Sequence, residues 1–198
     1  MTDPLSALLL LSDQEKNARG LTHTPREIHQ QPNTWAVTFR QLQSMEFSLA
    51  GVLAECGIHS GSPNPPDVIL TGAGTSDYIG RCLQGLLQKH WRCSVRSLPS
   101  TDLLTGLPEA ILPNRPCVLI SFSRSGDSSE GVAVLSLAED KFPQQIRNIV
   151  ITCNRAGAMA NMRGVFPIVL DDAVNDRGLA MTSSFTNMLV AGQYLAFL

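Results

Sequence analysis

The chain has 198 residues, 43% hydrophobic and 16% charged, which suits one packed domain with a flanking arm and excludes a disordered chain. Its net charge of -2 gives no electrostatic case for nucleic acid or an anionic membrane as partner. Five cysteines without a CxxC pair, and four histidines without ligand spacing, point to buried thiols in a reducing cytoplasm and to no metal centre.

The predicted elements begin with an irregular N-terminal arm over residues 1–33, punctuated by Thr22, Thr24, Pro25 and Pro32. Within it the apolar run Ala7–Leu11 is too short to span a bilayer and lacks the basic flank of a signal peptide, so it reads as a docking helix. The domain proper, residues 34–198, opens with a leading helix over 34–56, roughly Asn33 to Glu55. Trp35, Phe39, Leu42, Met45, Leu49 and Leu53 recur at spacings of three and four and give it one apolar face. Gly57 is placed to end that helix, and Gly61, Pro63, Pro65 and Pro66 form the turn that follows.

Beyond residue 66 the pattern alternates. Val68–Leu70 is a bare apolar strand that runs into Gly72-Ala-Gly74-Thr75-Ser76, and a helix spans about Ser76 to His90. Cys93–Leu98 and Cys117–Ile120 read as the second and third strands. The third ends in Ser121-Phe-Ser-Arg-Ser-Gly-Asp-Ser128, ahead of a helix from about Ser128 to Glu139. Asn148–Thr152 and Phe166–Leu170 complete five strands, and a last helix starts near Thr182. That helix shows no stop signal up to Leu198, so the chain is expected to be cut from something longer. Strands that are apolar throughout are buried on both faces. Alternated with helices, they imply a parallel sheet covered on both sides.

Ligands of such sheets sit at the carboxyl ends of the strands, near the point where strand order reverses. Both hydroxyl-rich loops lie at strand carboxyl ends, and each precedes a helix whose first N–H groups are free to meet an anion. Gly74 lets main chain approach a ligand, and Thr75 and Ser76 supply hydroxyls, although Ser76 would also serve as a helix cap. Ser123, Ser125 and Ser128 do the same in the second loop, with Arg124 among them. Asp77 stands where a dinucleotide fingerprint wants glycine, and no Walker lysine is present, so neither nicotinamide nor nucleotide chemistry is expected. Thr182-Ser183-Ser184 is a third hydroxyl cluster, as fit for capping the last helix as for binding. Arg177 is a ligand clamp or a surface residue. Glu130, Asp171, Asp172 and Asp176 are available acids, none of them marked as catalytic by its surroundings in the sequence.

Three ordered motifs carry a family resemblance: Gly72-Ala-Gly-Thr-Ser76, Ser121-Phe-Ser-Arg-Ser-Gly-Asp-Ser-Ser129 and Leu179-Ala-Met-Thr-Ser-Ser-Phe-Thr186. With Pro25-Arg-Glu-Ile-His-Gln-Gln-Pro32 ahead of them, the sequence resembles the sugar isomerase (SIS) domain family from about residue 24 onward. The resemblance is nearest to ketose/aldose isomerases and deaminases of amino-hexose phosphates. It implies a flavodoxin-like three-layer α/β sandwich around a five-stranded parallel sheet. It implies phosphate binding by Ser76, Ser123, Ser125 and Ser128 with Thr75 beside them. Met181 and Thr182 would lie near the sugar hydroxyls. Arg124 stands where related synthases carry Gln, and Ser183 where they carry Lys. The family pairs two such domains in tandem, keeps its proton-shuttling glutamate in the second, dimerises, and needs no cofactor. The ligand implied is a phosphorylated hexose or hexosamine. A sugar-phosphate sensor without catalysis is the competing reading, weakened by an arm whose basic residues are Lys16, Arg19 and Arg26 alone.

Overall fold

The computed structural model describes residues 3–198. The segment expected to be irregular instead holds three short helices, α1 (Pro4–Leu9), α2 (Asp13–Ala18) and α3 (Thr24–His29). Local caps explain them. Asp3 accepts from the Ser6 N–H, and Ser12 with Glu15 forms a capping box. Pro25 occupies the first turn of α3, where its missing N–H costs no helical bond.

The single leading helix is corrected to two, α4 (Gln31–Ser44) and α5 (Glu46–Glu55), broken at Met45. Its apolar face is also rotated. Leu42, Leu49 and Leu53 are buried, but Trp35 and Phe39 stay 39% and 50% exposed. Thr34 and Thr38 face inward in their place, bonded to Asn187: Thr38 Oγ1 donates to its Oδ1 at 2.7 Å, and its Nδ2 donates to Thr34 Oγ1 at 2.9 Å. Buried polar groups that find partners in this way cost little, and periodicity of apolar residues alone does not register them. Gly57, at φ +80°, closes α5: its N–H meets Ala54 O, and the N–H of Ile58 meets Leu53 O.

Five strands follow, β1 (Asp67–Gly72), β2 (Val95–Ser97), β3 (Cys117–Ser123), β4 (Ile146–Thr152) and β5 (Val165–Val169). They pair in parallel in the order β2-β1-β3-β4-β5. Pro167 lies on the edge strand β5, where a residue without an N–H is tolerated. The helices α6 (Thr75–Trp91), α8 (Ser129–Lys141) and α9 (Ser183–Ala196) stand close to their expected places. Between β2 and β3 runs α7 (Ser100–Ala110), which sequence analysis does not anticipate because Gly106 and Pro108 interrupt its pattern.

Side chains alternate between two cores. Val68, Leu70, Ile120, Phe122, Ile149 and Ile151 pack under α4, α5, α6 and α9. Ile69, Leu119 and Val150 pack under α7 and α8. The result is the three-layer sandwich that bare apolar strands require.

Four cysteines, Cys56, Cys93, Cys117 and Cys153, are buried, while Cys82 is exposed on α6 and departs from the expected pattern. Burial pushes the Cys56 and Cys93 thiols up to about 11 and those of Cys117 and Cys153 up to about 12. Only a thiolate attacks a disulfide reagent. At pH 8 the folded protein is therefore expected to release one rapid equivalent of chromophore from an aromatic disulfide, from Cys82, and five in denaturant. Rapid labelling of a second cysteine at that pH would contradict this burial.

Candidate anion-binding site

The strand order places β1 beside β3 although β2 intervenes in the chain, so order reverses between them. Gly72 is level with Phe122 across the pair. The Gly72–Ser76 and Ser123–Ser128 loops therefore leave the sheet side by side, at the position where open α/β sheets bind ligands.

Gly72 makes the first turn possible. A Cβ there would fall 2.6 Å from the carbonyl carbon of Ser76 and 2.7 Å from its oxygen. Gly74, at φ +56°, is the N-cap residue of α6, and no side chain caps that helix. Ser76 is thus not the cap. It is buried in the first turn, with Oγ 3.8 Å from the sulfur of Met181, while Thr75 is exposed beside it. Asp77 is taken up by Arg81, one turn on, at 2.7 Å.

The second loop is braced from within. Ser123 Oγ accepts the Gly126 N–H at 3.0 Å, and Ser125 Oγ accepts the Asp127 N–H at 3.2 Å. The carboxylate of Asp127 accepts the Ala158 N–H at 2.7 Å, and Asn154 Nδ2 donates to Ser125 O at 2.8 Å. Among the described residues neither Ser123 nor Ser125 donates its hydroxyl proton to another protein group. Their oxygens are held by these amides, and each hydroxyl retains one proton to donate. Ser128 is the N-cap of α8, and no side chain caps that helix either. A ligand that only accepts hydrogen bonds, and is negative, matches this set.

The third cluster behaves differently. Asp176, buried, accepts the N–H groups of Thr182, Ser183 and Ser184 at 2.8, 3.1 and 2.8 Å and the Ser184 hydroxyl at 2.6 Å. The cap of α9 is this carboxylate and not the hydroxyls. Ser183 and Ser184 are buried, while Met181 and Thr182 are half-exposed, Met181 reaching Ser76 of the first loop. Arg124 Nη1 donates to Gly178 O at 3.0 Å, tying the second loop to this turn. The Arg177 side chain lies on the surface beside Thr22 and His23, turned from the loops. Asp176, Asn154 and Glu27 are braces that the sequence motifs do not mark. The one available signal was an acid six residues ahead of an uncapped helix start. A cavity of about 450 Å³ among Leu53, His59, Trp91 and Arg92 lies below the amino ends of the strands, remote from these loops.

No protein-family model matches the sequence. The D-galactosamine-6-phosphate deaminase AgaS of Escherichia coli O157:H7 is 36% identical over 174 residues, 86% of this chain and 44% of that protein. The enzyme of the same name from Shewanella sp. ANA-3 is 34% identical over 96% of this chain and 51% of its own length. The chain is a homologue of these deaminases. Its structure superposes on the tagatose-6-phosphate ketose/aldose isomerase of Escherichia coli with a TM-score of 0.76 and 33% identity, covering 87% of this chain and 47% of that one. The fold is thus that of the sugar isomerase domain, as the sequence motifs imply. The chain spans about half the length of the curated relatives it matches.

In this homologue of the AgaS deaminases the Asp176 cap supports both α9 and the turn ahead of it. Removing it strips three amides and one buried hydroxyl of their acceptor. Asp176→Ala is expected to lower stability by about 2–4 kcal/mol in urea unfolding, since a lost cap costs about 1–2 and stranded buried donors add to it. A change within 0.5 kcal/mol of zero, roughly the size of an ordinary surface substitution, would show that the cap is dispensable.

Proposed function

We propose that the chain is the phosphate- and sugar-binding domain of an amino-hexose-6-phosphate deaminase/isomerase, with galactosamine 6-phosphate the favoured substrate. The observation that carries this is the pair of hydroxyl-bearing loops side by side at the switch point, with the Ser123 and Ser125 oxygens of the second held by main-chain N–H groups and their hydroxyls donating to no protein group among the described residues. Names of the relatives supply the chemical class. Phosphate would be held by Ser76, Ser123, Ser125 and Ser128, with Thr75 and the Gly74 main chain at the rim of α6. Met181 and Thr182 would face the sugar. Arg124, bonded to Gly178, serves in this reading to hold the sugar-side turn against the phosphate loop.

The reaction opens the ring, moves a proton from C2 to C1, and leaves an imine at C2 that takes up water and releases ammonia. That proton transfer needs a carboxylate base. Of the acids in and beside the loops, Asp77 is held through one oxygen by Arg81, Asp127 by the main chain near residue 158 and Asp176 by the start of α9, while Glu130, in the first turn of α8, accepts the Ser129 hydroxyl at 3.3 Å. We place the base in a second such domain, in keeping with relatives about twice as long, and assign turnover to that longer protein. Residues 34–198 then form the first domain, with residues 1–33 leading into it. Dimerisation and a cytoplasmic location belong to the same proposal. Among the described residues no helix is long and apolar enough to cross a membrane.

Calorimetry tests the binding half directly. Galactosamine 6-phosphate is expected to bind and galactosamine not to; equal affinity for the two would remove the phosphate assignment. Ser125→Ala is expected to weaken the phosphorylated ligand roughly ten- to a hundredfold, the value of a bond to a charged acceptor, without loss of fold. An unfolded Ser125→Ala protein would instead make Ser125 a brace only. The 198-residue chain alone is expected to release no ammonia from galactosamine 6-phosphate. Turnover on the order of 1 s⁻¹ would place the base inside it.

A further inference from the structure

Glu27 stands 150 residues from Arg177 in the chain, in the helix α3, yet it grips the turn that precedes α9. Its Oε1 accepts the N–H of Arg177 at 2.7 Å and that of Gly178 at 3.0 Å. Its main-chain oxygen accepts the Ser183 hydroxyl at 2.6 Å. One turn further along, Gln30 Nε2 donates to Ala173 O at 2.8 Å and to Ser183 Oγ at 2.9 Å. The N-terminal segment thus touches both ends of the Arg177–Thr182 turn.

Gly178 is held from the opposite side as well, because Arg124 of the phosphate loop donates to its carbonyl. The fit is tight. A Cβ on Gly178 would lie 2.7 Å from both Glu27 Oε2 and Thr24 Oγ1. Glu27 is 7% exposed, and Oε2 has no hydrogen-bond partner. A buried carboxylate with one idle oxygen and, among the described residues, no ion pair is costly to keep. What the carboxylate supplies in return is a pair of charge-assisted bonds, shorter and stronger than an uncharged acceptor makes, on two successive amides. The position of those amides decides where Leu179 to Met181 lie, and Met181 touches Ser76.

We propose that Glu27 is a positioning residue for sugar recognition: it fixes the Arg177–Thr182 turn, through Gly178 and together with Arg124, against the phosphate loops. This rests on the function proposed above. The N-terminal segment is then part of the binding machinery. Selectivity for the sugar over bare phosphate depends on it, since the phosphate-facing serines have no contact with Glu27.

The experiment compares the wild-type chain with Glu27→Ala, Glu27→Gln and Gly178→Ala. Calorimetry measures galactosamine 6-phosphate and inorganic phosphate, and amide hydrogen exchange is followed at Arg177 and Gly178 without ligand. Glu27→Ala is expected to weaken galactosamine 6-phosphate about tenfold or more and to leave inorganic phosphate within about twofold. Both amides should exchange faster. Glu27→Gln, which keeps an oxygen acceptor, should recover most of the sugar-phosphate affinity. Gly178→Ala, which pushes Glu27 aside without touching its charge, should reproduce the Glu27→Ala pattern. Equal losses for both ligands would make Glu27 a support of the whole fold and overturn the proposal. Faster exchange with unchanged galactosamine 6-phosphate affinity would overturn it too, since the turn's position would not matter to the sugar. If Glu27→Ala does not fold, Gly178→Ala and Glu27→Gln decide by the same two ligands. A failure of the underlying function shows in the wild type alone, as no preference for the sugar phosphate over phosphate. It would remove the sugar-side role of the turn, and Glu27's with it.

Discussion

Everything at the candidate site follows from one constraint: β1 and β3 are neighbours in the sheet but not in the chain. The chain leaves β1 toward one edge, makes β2, and returns to begin β3 on the other side of β1. Two strand-to-helix turns that are separated in the chain by β2 and α7 therefore open side by side. The first turns of α6 and α8, which no side chain caps, start from these neighbouring turns. The proposed anion site would then be made almost wholly of neutral donors, in a chain with a net charge of -2.

The carboxylates close to that site are consistent with the same economy. Asp176, Asp127 and Glu27 each accept main-chain N–H groups. Their negative charge is spent locally, on the geometry of the loops, and so does not face the ligand. Acids in such a place invite a catalytic reading. Their bonding partners argue for a structural one, because a base must have a lone pair directed at the substrate. In the proposed function, hydroxyls and amides meet the ligand while carboxylates hold the turns from behind.

The sheet was legible because β1, β3, β4 and β5 each carry a run of apolar residues, and the helices after β1 and β3 because they follow those runs in alternation. Three features were not legible, each for a physical reason. The break at Met45 carries neither Gly nor Pro. The inward turn of Thr34 and Thr38 depends on Asn187, some 150 residues away, which no local pattern contains. The helix α7 is masked by the Gly106 and Pro108 that distort it. At the site, the hydroxyl loops could be found from composition and position alone. The braces could not: Glu27 sits in a stretch that looks like an irregular arm, and its importance comes only from the partner it reaches.

The two margins of the sheet carry a consequence for assembly. On one side β2 is three residues long, and on the other β5 contains Pro167, whose nitrogen cannot donate. Neither margin offers a continuous ladder to an incoming strand. Pairing at either margin would be short or broken, so the sheet is a poor template for a neighbouring domain or a second copy. The helical layers are the broader faces such a partner would meet, away from the loops at the carboxyl ends of the strands.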